Sequence, residues 1–199
     1  MKRNNLKLLA LVLAAAAFAF FNGCQSHTPG KGQNALAKIT VNDSHKNPVH
    51  PFSHSNKATV MVFIATECPV SNKSAPEISR LYSKFKDSDI AFYLVYPNID
   101  DIPEMIQSHT KDYGYSMPAL YDPQHKLVGP AKVRVTPEAA VFSSTGILLY
   151  HGRIDDRFPS LGVTRPQSTV HDLENILIAV VENKNITPSE TKAIGCYIP

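Results

Sequence analysis

The sequence predicts an α/β fold in which a central mixed β-sheet carries helices on both faces. Two continuous apolar, β-branched runs are typical of strands that are buried on both sides. Segments that repeat apolar residues every three or four positions follow these runs, as in amphipathic helices. Later in the chain, two apolar runs flank a Gly-containing turn, which predicts a β-hairpin. The 199 residues have room for one domain and a tail.

The first half of the predicted domain has the order β-α-β. Residues 37–43 are compatible with a short first strand, and residues 58–65 form the first buried strand. A helix over 69–86 leads to the second buried strand, 90–97. The next helix, 100–114, ends at a glycine, as helices often do.

The second half begins with short elements and ends with a helix. Four of them come in order: a short strand (117–122), a short helix or turn (125–133) and the two strands of the hairpin (138–142 and 147–154). The last helix, 170–184, has apolar side chains on one face, and Ser168 or Thr169 is expected to cap it.

The N-terminus has the features of an export signal. Basic side chains precede an apolar run, 8–21, that is short for a membrane span. Soon after the run, Gly23-Cys24 resembles the end of the bacterial lipobox. This resemblance implies that Cys24 is lipidated and anchors the protein to a membrane of the bacterial cell envelope, facing the periplasm or the exterior. The alternatives are an ordinary secretory peptide or a membrane anchor.

Domain organisation and charge follow from that interpretation. The expected parts are a signal (1–23), a flexible tether (24–35), the domain (36–184) and a C-terminal tail that carries Cys196 (185–199). Without the signal, the basic side chains fall from 20 to 17 and equal the 17 acidic ones. A nucleic-acid partner is therefore not expected. Cys68 and Cys196 remain as an even pair, which in an exported protein is a candidate disulfide.

The order of elements, together with several motifs, resembles the thioredoxin superfamily. The resemblance covers residues 58–184 and is strongest to the exported redoxins, which include TlpA-like proteins and AhpC/TSA peroxidases. Cys68 has the position of the first cysteine in Cys-x-x-Cys, and a helix proline follows eight residues later. Thr136-Pro137 matches the dipeptide that has a cis peptide bond opposite that cysteine. The resemblance implies a thioredoxin-like fold and thiol chemistry.

The motif departs from the family pattern at several positions. Ser71 replaces the second cysteine, which makes a Cys-x-x-Ser motif, and Glu67 replaces the usual aromatic residue. Val62 stands where thioredoxins bury an acid, and Ala65 stands where peroxidases have a threonine. An ordinary thioredoxin and an ordinary peroxidase are therefore both disfavoured.

Cys68 is the candidate nucleophile. At a helix N-terminus, unpaired N–H groups and the helix dipole favour the thiolate. Glu67 opposes this by charge repulsion, while the Ser71 hydroxyl can donate a hydrogen bond but cannot resolve a mixed disulfide. The resemblance implies that Cys196 resolves, as C-terminal cysteines do in the peroxidases. A buried structural Cys68, and a Cys196 that bonds between chains or permanently, remain alternatives.

Two polar clusters carry weaker predictions. In "GRIDDR" (152–157), Arg153 is either part of a salt-bridged surface loop or lies near Cys68 and stabilises its thiolate. Alternatively, the carboxylates of this segment could bind a metal ion together with His151 or His171. No cofactor and no metal is expected, and the N-terminal histidines are interpreted as solvated surface residues: His45, His50 and His54.

The predicted function is that of a lipid-anchored thiol-disulfide oxidoreductase. Cys68 would attack, Cys196 would resolve, and Thr136-Pro137 would shape the groove for a protein thiol, a disulfide or a peroxide. The alternatives are a thiol peroxidase and a non-catalytic thioredoxin-like module that binds a partner protein or copper.

Overall fold

A computed structural model describes residues 35–53 and 55–199. The predicted signal, Cys24, almost all of the tether and His54 lie outside the described residues. Over the part that is described, no helix has the length and apolar character needed to cross a bilayer.

The main sheet has eight strands in the order β2-β1-β5-β4-β3-β7-β8-β9, and β6 and β10 form a separate two-stranded sheet. The strands are β1 (Val41–Asp43), β2 (Pro48–Val49), β3 (Ala58–Phe63), β4 (Ile90–Tyr96), β5 (Ala119–Tyr121), β6 (Val135–Thr136), β7 (Glu138–Ser143), β8 (Leu148–Gly152), β9 (Ser189–Glu190) and β10 (Cys196–Tyr197). Strand β3 pairs in parallel with β4 and antiparallel with β7, so the sheet is mixed.

Strand β3 lies at the centre of the fold and is buried along its whole length. Because side chains alternate across a strand, its residues divide between two cores. Val60 and Val62 belong to the core on one face, and Met61 and Phe63 belong to the core on the other. The continuous apolar run in the sequence is the consequence of this double burial.

Helices cover both faces of the sheet, which confirms the predicted fold class. They are α1 (Pro69–Phe85), α2 (Pro103–Asp112), α3 (Val128–Ala131) and α4 (Asp172–Val181). One core includes Leu81 of α1, Ile106 of α2 and Leu177 of α4. The opposite core includes Ala131 of α3 together with apolar residues near the start of the described chain.

The predicted cap of the last helix was wrong. His171 occupies the N-cap position of α4, and no side chain caps this end. The Ser168 hydroxyl instead donates to Asp155, and the Thr169 amide and hydroxyl donate to Asp156. The two residues hold the preceding loop in place, so the helix begins later than the sequence pattern suggested.

The C-terminal segment adds strands to both sheets. Strand β9 pairs in parallel with β8, and β10 pairs antiparallel with β6, where Cys196 is opposite Thr136. The segment is fastened beside β9 by Thr191. Its amide donates to the His151 carbonyl at 3.1 Å, and its hydroxyl lies 2.6 Å from the Tyr150 hydroxyl.

Gly152, at the end of β8, permits this attachment. Its φ is +144°, and a Cβ would overlap the backbone and hydroxyl of Thr191. We predict that Gly152→Ala lowers the free energy of unfolding by about 1–3 kcal/mol, because alanine is strained at this φ and pushes the segment away. Urea denaturation would measure the change. The matched control is Gly129→Ala, since Gly129 has no atom near its Cβ position. Equal stability of the two variants would contradict the prediction.

Candidate active site

Cys68 lies where the chain passes from β3 into α1. It is the N-cap residue of the helix, with φ −86° and ψ 110°, and Pro69 is the first helical residue. The Cys68 carbonyl accepts the first helical bond, from the Asn72 amide at 3.0 Å. The thiol is therefore at the positive end of a helix of 17 residues. The side chain is only 1% exposed.

Thr136-Pro137 lies opposite Cys68, as the sequence predicts, and the peptide bond between the two residues is cis. In its protonated form, the Cys68 thiol donates to the Thr136 carbonyl at 3.0 Å. The Glu138 carboxylate accepts the amides of Arg134 and Val135, at 2.8 and 3.2 Å, and so fixes the backbone before the proline. Sequence reasoning assigned no role to Glu138.

Cys196 reaches the same place from the C-terminal tail. Its backbone is the ladder partner of Thr136, and both cysteines are free thiols. Burial alone would raise the pKa of Cys68, but hydrogen bonds from Cys196, Ser71 and Thr136 together lower it below the ordinary value. Burial, the hydrogen bond given to Cys68 and the negative charge of its thiolate raise the pKa of Cys196 to about 11. The arrangement stabilises a Cys68 thiolate beside a protonated Cys196.

Ser71 faces Cys68 from the first turn of α1. The side chain is fully buried, and no group of the described residues occupies its hydroxyl, so the hydroxyl is available to donate to the Cys68 thiolate. Both the hydroxyl and the amide of Ser71 contribute to the lowered pKa of Cys68. Ser71 therefore offers the thiolate a hydrogen-bond donor at the position of the second cysteine in a Cys-x-x-Cys motif. Glu67 is exposed at the rim of the site.

A cleft of about 120 Å³ lies over Cys68. Its walls come from the two loops that follow β3 and β4, the cis-proline loop and the end of the chain: Ala65, Glu67, Pro97, Asn98, Thr136, Cys196, Tyr197, Ile198 and Pro199. The tail thus forms a large part of the wall.

The structure does not bring Arg153 to Cys68. Its guanidinium binds the Asp172 carboxylate at 2.7 Å and lines a different cleft, together with Pro137 and other residues. Asp156, one of the acids with the alternative of metal binding, binds Arg165 at 2.8 Å as well as the loop that precedes α4. The expectation that Arg153 stabilises the thiolate is replaced by the alternative of a salt-bridged loop.

Another acidic cluster was not foreseen. Within the described residues, ligand atoms of Glu77, His171 and Glu174 lie close enough together for a metal ion. Arg80, however, binds both glutamates, and Lys84 binds Glu174 at 2.7 Å. Positive side chains already neutralise these carboxylates, and they do so far from Cys68 along α1.

A buried polar network supports the loop before Cys68, and sequence reasoning missed it. The Asp101 carboxylate accepts both the amide and the hydroxyl of Thr66. Burial raises the pKa of Asp101, although the Thr66 bonds oppose the rise. His109 bonds to the Tyr96 hydroxyl at 2.8 Å and to Asn72 at 2.9 Å, and burial lowers its pKa. Two features of the sequence could have indicated this contact: Thr66 lies close to Cys68, and Asp101 follows the next strand. The ends of the two parallel strands, β3 and β4, meet at one edge of the sheet, so the loops that follow them lie close together.

Comparisons with known proteins indicate the family and the fold. Residues 32–157 match the model of the AhpC/TSA family. The thiol-disulfide oxidoreductase ResA of Halalkalibacterium halodurans is 19% identical over 142 residues, which is 71% of this chain and 80% of that protein.

Among solved structures, a hypothetical protein of Sinorhizobium meliloti has a TM-score of 0.69 at 23% identity, covering 80% of this chain and 89% of that one. A secreted Mycobacterium tuberculosis disulfide oxidoreductase has a TM-score of 0.52 at 17% identity, covering 75% and 98%. The fold is thioredoxin-like.

We predict that Cys196→Ala raises the pKa of Cys68, because it removes the largest of the hydrogen bonds that lower it. The Cys68 thiolate then forms at higher pH, so the alkylation rate at neutral pH falls and its pH profile moves upward. Iodoacetamide alkylation between pH 5 and 10, quantified by mass spectrometry, measures the midpoint. Cys196→Ser is the control, since its hydroxyl still donates. Superimposable profiles for the Ala and Ser variants would disprove the role of this hydrogen bond.

Proposed function

We propose, since the chain belongs to the AhpC/TSA family of redoxins, that it is a thiol-disulfide oxidoreductase with Cys68 as nucleophile and Cys196 as resolving cysteine. One observation carries the proposal: the tail holds Cys196 beside Cys68, and the hydrogen bonds there favour a thiolate on Cys68 and a thiol on Cys196. A purely structural cysteine would not require this division of charge.

The first step is attack by the Cys68 thiolate on a substrate disulfide. A bond forms between Cys68 Sγ and one substrate sulfur, the substrate S–S bond breaks, and the second sulfur leaves as a thiolate that takes a proton from solvent. The amide and hydroxyl of Ser71 and the hydroxyl of Thr136 donate to the thiolate and hold it in position.

The second step uses Cys196. Two of the causes that raise the pKa of Cys196 are its hydrogen bond to Cys68 and the charge of the Cys68 thiolate. Both disappear when Cys68 enters a mixed disulfide, so Cys196 loses its proton more easily at the moment when its thiolate is needed. Attack on Cys68 Sγ forms the Cys68–Cys196 disulfide and releases the bound substrate as a thiol. The substrate gains two electrons, and an external dithiol returns the protein to its reduced form.

We place this chemistry in the bacterial cell envelope, facing the periplasm or the exterior, with the protein held to a membrane through lipidated Cys24. Support comes from the basic and apolar N-terminus and from Gly23-Cys24. The similar Mycobacterium protein is described as secreted, and a disulfide-based cycle suits an oxidising compartment.

A thiol peroxidase is the second candidate, and the size of the cleft favours it. With about 120 Å³ over a buried Cys68, a small hydroperoxide fits more readily than a large disulfide. The Cys68 thiolate would attack one peroxide oxygen, giving a sulfenic acid and an alcohol or water. Cys196 would then displace water and form the same disulfide.

We predict that the purified reduced protein, treated with a disulfide substrate, forms a Cys68–Cys196 bond. Peptide mapping without reduction would detect it. Cys68→Ser abolishes turnover, because no nucleophile remains, whereas Cys196→Ser stops at a mixed disulfide on Cys68, because resolution fails.

Stopped-flow measurement of Cys68 oxidation by hydrogen peroxide and by a disulfide decides between the two candidates. Faster reaction with peroxide assigns the peroxidase. If the thiols stay free with both reagents, both catalytic functions are contradicted. The remaining alternative from the sequence is then a non-catalytic binding module.

A further inference from the structure

Strand β10 occupies the edge of β6, beside the nucleophile. The two strands pair antiparallel over two residues, and the Ile198 amide adds a bond to the Arg134 carbonyl at 3.0 Å. Gly195 makes the approach possible, because a Cβ there would overlap the carbonyl group of Thr136. The tail therefore lies on the backbone that faces Cys68, in the extended form of a bound peptide.

The docked tail closes the site to large substrates. Cys68 is 1% exposed, and the tail supplies Tyr197 and three further residues to the wall of a cleft of about 120 Å³. A sulfur of a folded polypeptide brings its own flanking backbone and needs room for it. No such room exists at the β6 edge while β10 is there.

We infer that β10 is a displaceable competitor of an extended, cysteine-bearing segment of a partner polypeptide for the edge of β6. This inference rests on the proposed function and names its substrate class. The partner segment would pair with β6 in the place of the tail and present its disulfide to Cys68. The tail would then displace the segment from the edge of β6 and bring Cys196 back to Cys68. Attack of Cys196 on Cys68 Sγ would break the mixed disulfide and release the segment as a thiol.

The attachment of the tail fits such an exchange. Its base is fastened by three bonds of Thr191: to the His151 carbonyl, to the Tyr150 hydroxyl and from the Arg153 amide at 3.1 Å. Its end is held mainly by the short ladder of β10. Tyr197 is 85% exposed, and Ile198 is half-buried against one core, so release of the end uncovers mainly one apolar side chain. Residues 192–194, which link the two parts, can act as a hinge.

The tail also indicates a sequence preference. In its register, the residue before the cysteine abuts the Thr136 carbonyl, where only glycine fits. A partner segment bound in the same register is expected to carry Gly-Cys.

The test uses the full chain with Cys196→Ser, so that Cys68 is the thiol that reports access. The rate of Cys68 labelling by a bulky maleimide is divided by the rate with iodoacetamide, which needs the same thiolate but little room. Adding Gly195→Ala should undock the tail and raise this ratio at least about tenfold. Gly129→Ala in the same background is the matched control and should leave the ratio unchanged. An equal ratio with and without Gly195→Ala would overturn the inference.

Peptide binding gives an independent readout. A fluorescent peptide of residues 193–199 with Cys196→Ser should bind the Gly195→Ala chain and should bind the unaltered chain at least about tenfold more weakly, because the tail competes. The same peptide with Gly195→Ala should bind neither. Equal affinity for both chains would show that the tail and the peptide do not share a site, and would overturn the proposal.

Hydrogen exchange on the unaltered chain covers the case in which the Gly195→Ala variant does not fold. The Ile198 amide should exchange at least about tenfold faster than the Thr191 amide, since only the end of the tail opens. Equally slow exchange at both would refute displacement. None of these readouts needs turnover of a disulfide substrate. If the tail and the peptide compete but the protein shows no turnover, only the proposed function is refuted. If the protein turns over substrate but the tail and the peptide do not compete, only this inference is refuted.

Discussion

The antiparallel pairing of β10 with β6 is the interaction on which the site depends. It sets Cys196 opposite Thr136, whose carbonyl also receives the Cys68 thiol. Three chain segments distant in sequence thus converge on one peptide group: the start of α1, the cis-proline loop and the C-terminus. If the tail is removed, Cys68 loses a hydrogen-bond donor, the segment that covers it and its proposed resolving partner together. Stability of the tail and reactivity of the thiol are therefore coupled.

Much of the fold could be predicted because its causes are local. The continuous apolar run at β3 reflects burial on both faces, and the proline at the start of α1 places Cys68 at a helix end. The approach of Cys196 to Cys68 was an expectation from resemblance and elimination, since nothing in a polar 15-residue tail specifies a partner strand. Only Gly195, which admits the Thr136 carbonyl, was a local sign of close packing.

The sequence left open, or did not indicate, contacts that depend on long-range pairing. A charged run such as "GRIDDR" does not reveal which partner each side chain finds, and Arg153 found Asp172 rather than the thiolate. Likewise, Ser168 and Thr169 have side chains that could cap a helix, but they form hydrogen bonds with the acids of that run, Asp155 and Asp156, instead. The Asp101–Thr66 contact joins two loops, and no sequence period marks it. Such contacts depend on how the strand ends meet, which periodicity does not encode.

The replacement of the second cysteine by Ser71 has a physical consequence. In a Cys-x-x-Cys helix, the resolving thiol is rigidly one turn away, so attack and resolution use a fixed geometry. Here Ser71 provides a hydrogen bond that helps to stabilise the thiolate, while Cys196 lies on a strand held by a short ladder. In the proposed mechanism, Ser71 thus stabilises the thiolate and Cys196 resolves, two roles that one cysteine has in Cys-x-x-Cys. If the strand leaves and returns as we infer, resolution depends on what competes for the edge of β6.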